Sequence, residues 1–124
     1  MDKKRPVNLQ LTTIKFPIPA IISILHRISG LIVFLAIPFL LWMLYHSLAT
    51  RAGFYNIQQF VHQPLIKITF WVILSGMFYH LIAGIRHLLM DAGIGETLAG
   101  ARCSAKFVLV LSIISAILVG VWLW

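Results

Sequence analysis

Residues 28–45 read ISGLIVFLAIPFLLWMLY, eighteen consecutive positions without a charge. At about 1.5 Å of rise per residue they make roughly 27 Å of helix, close to the ~30 Å hydrocarbon core of a bilayer. The same pattern returns twice. Residues 68–85 read ITFWVILSGMFYHLIAGI, and residues 107–124 read FVLVLSIISAILVGVWLW. Flanking residues extend each window, so the sequence predicts three transmembrane helices over about 20–48, 63–91 and 103–124. The expected fold is an all-α integral membrane bundle, with residues 1–124 forming a single domain.

Composition agrees with that reading. Sixty per cent of the 124 residues are hydrophobic, only 10% are charged, and the mean hydropathy is +0.97. A disordered chain is excluded, and a soluble domain would need more polar surface. The net charge of +7 does not indicate nucleic acid. The basic residues flank apolar runs, and no basic pattern is interleaved with aromatics. The single cysteine, Cys103, allows no intrachain disulfide and no cysteine metal cluster. A polar stretch follows Met1 in place of an apolar core, which speaks against a cleavable signal peptide. A bacterial inner-membrane protein is the simplest expectation.

Lysine and arginine counts predict orientation. Lys3, Lys4, Arg5, Lys15, Arg27, Arg86, Arg102 and Lys106 flank one side, and only Arg51 and Lys67 flank the other. Eight against two predicts a cytoplasmic N-terminus and a periplasmic C-terminus. Trp42, Tyr45, Trp122 and Trp124 then form an aromatic belt at the outer face. Pro17 and Pro19 stand where the first helix begins, which tolerates proline. Pro38 is expected to kink that helix unless neighbours re-satisfy the freed carbonyl. Residues 49–63 read as a polar linker, and residues 91–102, with three glycines, as another. Three helices bury little surface alone, so a partner subunit is expected.

The chemistry lies in the second helix. His80, Gly84, His87 and Asp91 fall at i, i+4, i+7 and i+11, which stacks them into one stripe, and Gly76 extends it backwards. Ionisable groups in a membrane helix usually face a bundle interior and mark a site. The imidazole of His80 needs a partner there, and haem iron supplies one. Zinc fits less well, because no second ligand stands at i+3 or i+4 and no carboxylate is near. The plain alternative is helix packing through the glycines, with His80 as a hydrogen-bonded polar residue. His87 is roughly 10 Å nearer the cytoplasm on the same face, within reach of an acidic group such as a propionate.

The first helix adds Ser23, His26 and Arg27. Ser23, Arg27 and Gly30 share one face, and a guanidinium beside a hydroxyl can bind a carbonyl or a propionate. Arg27 also reads as a snorkelling anchor. Antiparallel helices bring His26, Arg27, Arg86 and His87 to one cytoplasmic boundary, with Asp91 just outside and His80 deeper. That depth match favours a polar headgroup site above a haem. His46, His62, Lys67 and Glu96 read as ordinary interfacial or solvated residues.

Two stretches carry a family resemblance. One is residues 5–9, RPVNL, with residues 23–30, SILHRISG; the other is residues 80–93, HLIAGIRHLLMDAG. The chain resembles the cytochrome b membrane-anchor subunit of bacterial succinate dehydrogenase, the larger of two anchors. The resemblance implies a four-subunit complex. A flavoprotein oxidises succinate, an iron–sulfur subunit relays electrons, and two small anchors hold haem b and reduce ubiquinone. It implies that His80 is an axial ligand of the haem iron, with the second ligand on the other anchor. It further implies that Ser23 and Arg27 belong to the ubiquinone site. His26, Arg27 and His87 correspond to the surroundings of the haem propionates, and Asp91 to an acidic residue near the quinone.

Two other readings stay open. One is the anchor of a fumarate reductase running the reverse reaction with menaquinol. The other is a non-redox scaffold or transporter subunit, against which stands the clustering of polar residues at one depth. The sequence leaves trimeric assembly undecided.

Overall fold

The computed structural model describes residues 14–124. The RPVNL stretch and the basic residues Lys3, Lys4 and Arg5 lie outside the described residues. Four helices follow one another: α1 (Ile18–Ala49), α2 (Arg51–Val61), α3 (Pro64–Asp91) and α4 (Leu98–Leu123). Among the described residues there is no strand. Helices α1, α3 and α4 are each long and apolar enough to cross a membrane. The expected three spans therefore stand, within about two residues for the first two.

Two expectations need correction. Residues 49–63 are not a linker but mostly the helix α2. Thr50 stands extended between α1 and α2, and its hydroxyl accepts a hydrogen bond from the Gly53 N–H at 2.9 Å. That is an N-cap, and it satisfies one of the free donors of the first turn. The α2 chain can then lie close along α1, because a Cβ at Gly53 would run into the His46 carbonyl. The second correction is α4, which begins at Leu98, five residues before the expected start at 103. Thr97 caps it by accepting from the Gly100 N–H at 3.1 Å.

Prolines and glycines punctuate the rest. Proline opens both α1 and α3, where a missing N–H costs no helical hydrogen bond. Pro38 stands inside α1, and the helix continues through it. Past Asp91 the chain turns through Gly93 at φ +81° and Gly95 at φ +77°, conformations open to glycine at little cost.

The tightest packing joins the beginning of α1, the end of α3 and the beginning of α4. Ile22, Ala83, Ala105 and Val108 are buried there, flanked by Ile18, Tyr79, Ile82 and Leu109. The alanines let the helices approach closely, which drives association where lipid removes the hydrophobic advantage. Side-chain hydrogen bonds from α3 add ties. Tyr79 Oη donates to the Ile22 carbonyl at 3.0 Å, and Trp71 Nε1 donates to the Ala116 carbonyl at 2.9 Å. Each such bond contributes about 0.6 kcal/mol on average in a membrane, with an upper range near ~1.7. Elsewhere the spans present large apolar side chains outward, among them Phe34, Leu35, Leu81, Phe107 and Ile117.

Candidate functional site

Helices α1 and α3 meet through three imidazoles. The rings of His26 and His80 stack with centroids 4.1 Å apart and planes 8° from parallel. His87 leans on the other side of the group, 5.0 Å from His26 at an angle of 56°. All three are half-buried. His80 and His87 lie seven residues apart on α3, which gives them one face, and His26 enters between them from α1.

Glycines make that entry possible. A Cβ at Gly84 would come within 3.3 Å of His26 Nε2, and one at Gly30 within 3.0 Å of His80 Cε1. Each helix thus supplies a glycine beneath the other's imidazole. Gly76, the backward member of the stripe, faces Ile32 at an ordinary 3.6 Å. The α1 side chains His26 and Ile32 take up the space left by Gly84 and Gly76, and His80 of α3 takes up that left by Gly30.

Hydrogen bonding fixes the His80 ring. Its Nδ1 lies 3.1 Å from the His26 carbonyl oxygen and 3.2 Å from Ser29 Oγ. Ser29 Oγ itself donates to the same carbonyl at 2.8 Å. A carbonyl can only accept, so the contact with His26 is a hydrogen bond in the tautomer with the hydrogen on Nδ1, which leaves the lone pair on Nε2. Among the described residues Nε2 of His80 has no hydrogen-bond partner. Metal-bound histidines commonly hold their other ring nitrogen in this way, against a backbone carbonyl. His87 differs, because its Nε2 is buried and has no partner among the described residues. A buried polar atom without a partner is costly unless something outside the chain satisfies it.

The other expected residues are arranged more loosely. Ser23 is half-buried one turn before His26, and Arg27 is exposed on the neighbouring strip of α1. Asp91 is exposed at the last residue of α3. Among the described residues, Ser23, Arg27 and Asp91 make no side-chain hydrogen bond with one another. The structure therefore brings together His26, His80 and His87, and leaves the hydroxyl, the guanidinium and the carboxylate open to the outside. Among the described residues no group of three or more His, Cys, Asp or Glu side chains is arranged to hold a metal ion. A porphyrin iron asks only one ligand of a chain when the other comes from elsewhere.

Two residues carry weight that the sequence did not reveal. Ser29 lies one turn after His26 and just before Gly30, a spacing that could have linked it to the histidine. Arg86, expected at the boundary, is 5% exposed and turned to α4. Its Nε donates to Ser104 Oγ at 3.0 Å and its Nη2 to the Ala101 carbonyl at 3.2 Å.

Comparison of the sequence with known proteins identifies a family. A family profile described as succinate dehydrogenase/fumarate reductase transmembrane subunit matches residues 1–119. The chain is 46% identical over 125 residues to the succinate dehydrogenase cytochrome b556 subunit of Coxiella burnetii, covering 100% of both chains. It is 36% identical over 118 residues to the subunit of that name from Rickettsia felis, covering 95% of this chain and 92% of the relative. The corresponding subunit of Paracoccus denitrificans is 31% identical over 114 residues, with 92% and 88% covered. The chain thus belongs to the succinate dehydrogenase/fumarate reductase transmembrane subunit family, as a multi-pass protein of the bacterial inner membrane.

Proposed function

We propose that this chain is the cytochrome b anchor of a succinate:ubiquinone oxidoreductase, holding haem b through His80 and forming one wall of the quinone site. Its partners are a flavoprotein, an iron–sulfur subunit and a second small anchor that would supply a further ligand to the haem. The N-terminus faces the cytoplasm, where electrons arrive from the iron–sulfur subunit. One observation carries the reading: His80 Nδ1 faces the His26 carbonyl, an arrangement that in the Nδ1–H tautomer keeps the Nε2 lone pair for a metal.

The residues present fit a haem on two further counts. The His80 ring lies where a Cβ at Gly30 would intrude, so the glycine keeps the imidazole in position. His87, 5.0 Å from His26, would meet a propionate at the headgroup boundary once its Nε2, covered by the chain alone, is turned toward it. Bound there, haem supplies a one-electron store whose potential its ligands and burial set.

The quinone chemistry rests on the polar residues of α1. The Ser23 hydroxyl holds a carbonyl oxygen of the quinone head. The exposed guanidinium of Arg27 stabilises negative charge as the head accepts electrons, an electrostatic role. Asp91, at the same boundary, orients Arg27 or delivers a proton. The protein positions and tunes, while the cofactors carry the electrons.

The test uses the assembled complex. Arg27→Leu should abolish quinone reduction while succinate oxidation by an artificial acceptor survives. His80→Leu should alter the reduced-minus-oxidised spectrum. Undiminished quinone turnover in the first variant, or a wild-type spectrum in the second, would refute the corresponding role. The family description spans both directions of the reaction, and the compared relatives carry the succinate dehydrogenase name.

A further inference from the structure

Among the described residues Arg86 is a buried cation without a counter-charge. It is 5% exposed, and its recorded bonds engage Nε and Nη2 only. A guanidinium offers five N–H donors. Among the described residues no carboxylate pairs with it, since Asp91 and Glu96 are both exposed. Removing an unpaired charge from water costs several kcal/mol unless an opposite charge compensates it.

The surroundings say what kind of anion would fit. Arg86 lines a groove of roughly 290 Å³ between α3 and α4. Its other walls are apolar, with Ile82, Ile85 and Leu89 on one side and Phe107, Val108 and Leu111 on the other. The groove is polar at one point only, the guanidinium with Ser104. Arg86 also stands just beyond the uncharged stretch that ends at Ile85, and opposite the one that starts at Phe107. That is the depth at which lipid headgroups lie. From Arg86 the groove runs inward past Val108 to Leu111.

We propose that this groove binds a phospholipid, its phosphodiester against the guanidinium of Arg86 and one acyl chain along the α3–α4 walls. Charge complementarity selects the phosphate, since planar guanidinium groups bind phosphate oxygens in pairs. The apolar walls select a molecule with a hydrocarbon tail, which a soluble anion lacks. The site lies on a different face from the imidazole cluster: His87 turns to α1, and Arg86 turns to α4. Filling it would also join the end of α3 to the beginning of α4.

The assembled complex provides the test. It is stripped with detergent, and retained phospholipid is counted by native mass spectrometry in wild type, Arg86→Gln and Ile85→Trp. Glutamine keeps hydrogen-bonding capacity but removes the charge. Tryptophan at 85 leaves the charge and narrows the groove, so it decides the matter if the first variant fails to assemble. Wild type should hold one lipid that resists stripping; Arg86→Gln should retain it at least about tenfold less well, the factor supplied by one hydrogen bond to a charged group, and Ile85→Trp should retain it less well by filling the space of the acyl chain. Dioleoylphosphatidylglycerol should then raise the melting temperature of stripped wild type. Inorganic phosphate, lacking a tail, and dioleoylglycerol, lacking a phosphate, should not. Equal retention in wild type and the variants would overturn the proposal. So would full protection by phosphate or by dioleoylglycerol alone.

Discussion

Replacing Gly30 with alanine would aim a methyl group at the imidazole of His80. The new Cβ would stand 3.0 Å from Cε1 and 3.4 Å from Nδ1. Ordinary contact between carbon atoms begins near ~3.5 Å, so the ring must retreat by about 0.5 Å. Retreat from α1 stretches the bond from Nδ1 to the His26 carbonyl, now 3.1 Å. At about 3.6 Å it would no longer count as a hydrogen bond, and its loss costs ~0.5–1.5 kcal/mol. Loss of such a supporting bond lowers metal affinity about 10–100-fold at known sites. The assay is haem retention and redox potentiometry on the purified complex, with Gly76→Ala as the comparison. A methyl at Gly76 meets Ile32 at an ordinary 3.6 Å, so that variant should match wild type. Gly30→Ala should release haem at least about tenfold faster and shift its potential. If both alanine variants matched wild type in retention and potential, the role given to the His26 carbonyl would be wrong.

Other substitutions probe the scaffold. Trp71→Phe keeps the ring but removes the donor to the Ala116 carbonyl, and should lower stability by about 0.6 kcal/mol, at most ~1.7, in a denaturant titration in micelles. Gly53→Ala drives a Cβ into the His46 carbonyl, and should lift α2 from α1; hydrogen exchange in α2 should rise while the haem spectrum stays unchanged. Thr50→Val removes the α2 cap at a cost of about 1 kcal/mol, so α2 amides should exchange about fivefold faster.

The spans were legible because membrane thickness acts as a ruler, and eighteen uncharged residues meet it at each of three places. Helix α2 escaped that ruler because it is short and partly polar. Its signals were local: Thr50 as a cap, Phe54, Ile57 and Val61 at helical spacing, and Pro64 opening the next helix. The early start of α4 had a similar signal in Thr97. The shared face of His80 and His87 follows from spacing along one helix. The stacking of His26 on His80 does not, because the register between two helices is set by packing across them. Gly30 and Gly84 were the trace of it in the sequence, since a flat ring needs a bare stretch of backbone opposite. The inward turn of Arg86 was hidden for a related reason. A basic residue at the end of an apolar run is ordinarily an anchor, and only the arrival of Ser104 and the Ala101 carbonyl from α4 turns it inward.

The exchange between α1 and α3, in which each helix seats its imidazole on the other's glycine, has an evolutionary consequence. Drift at position 30 is constrained by whatever occupies position 80, and drift at 84 by the occupant of 26. Enlarging either glycine would crowd the imidazole opposite it, so a change at one of these positions is expected to be tolerated best alongside an adjustment at its counterpart.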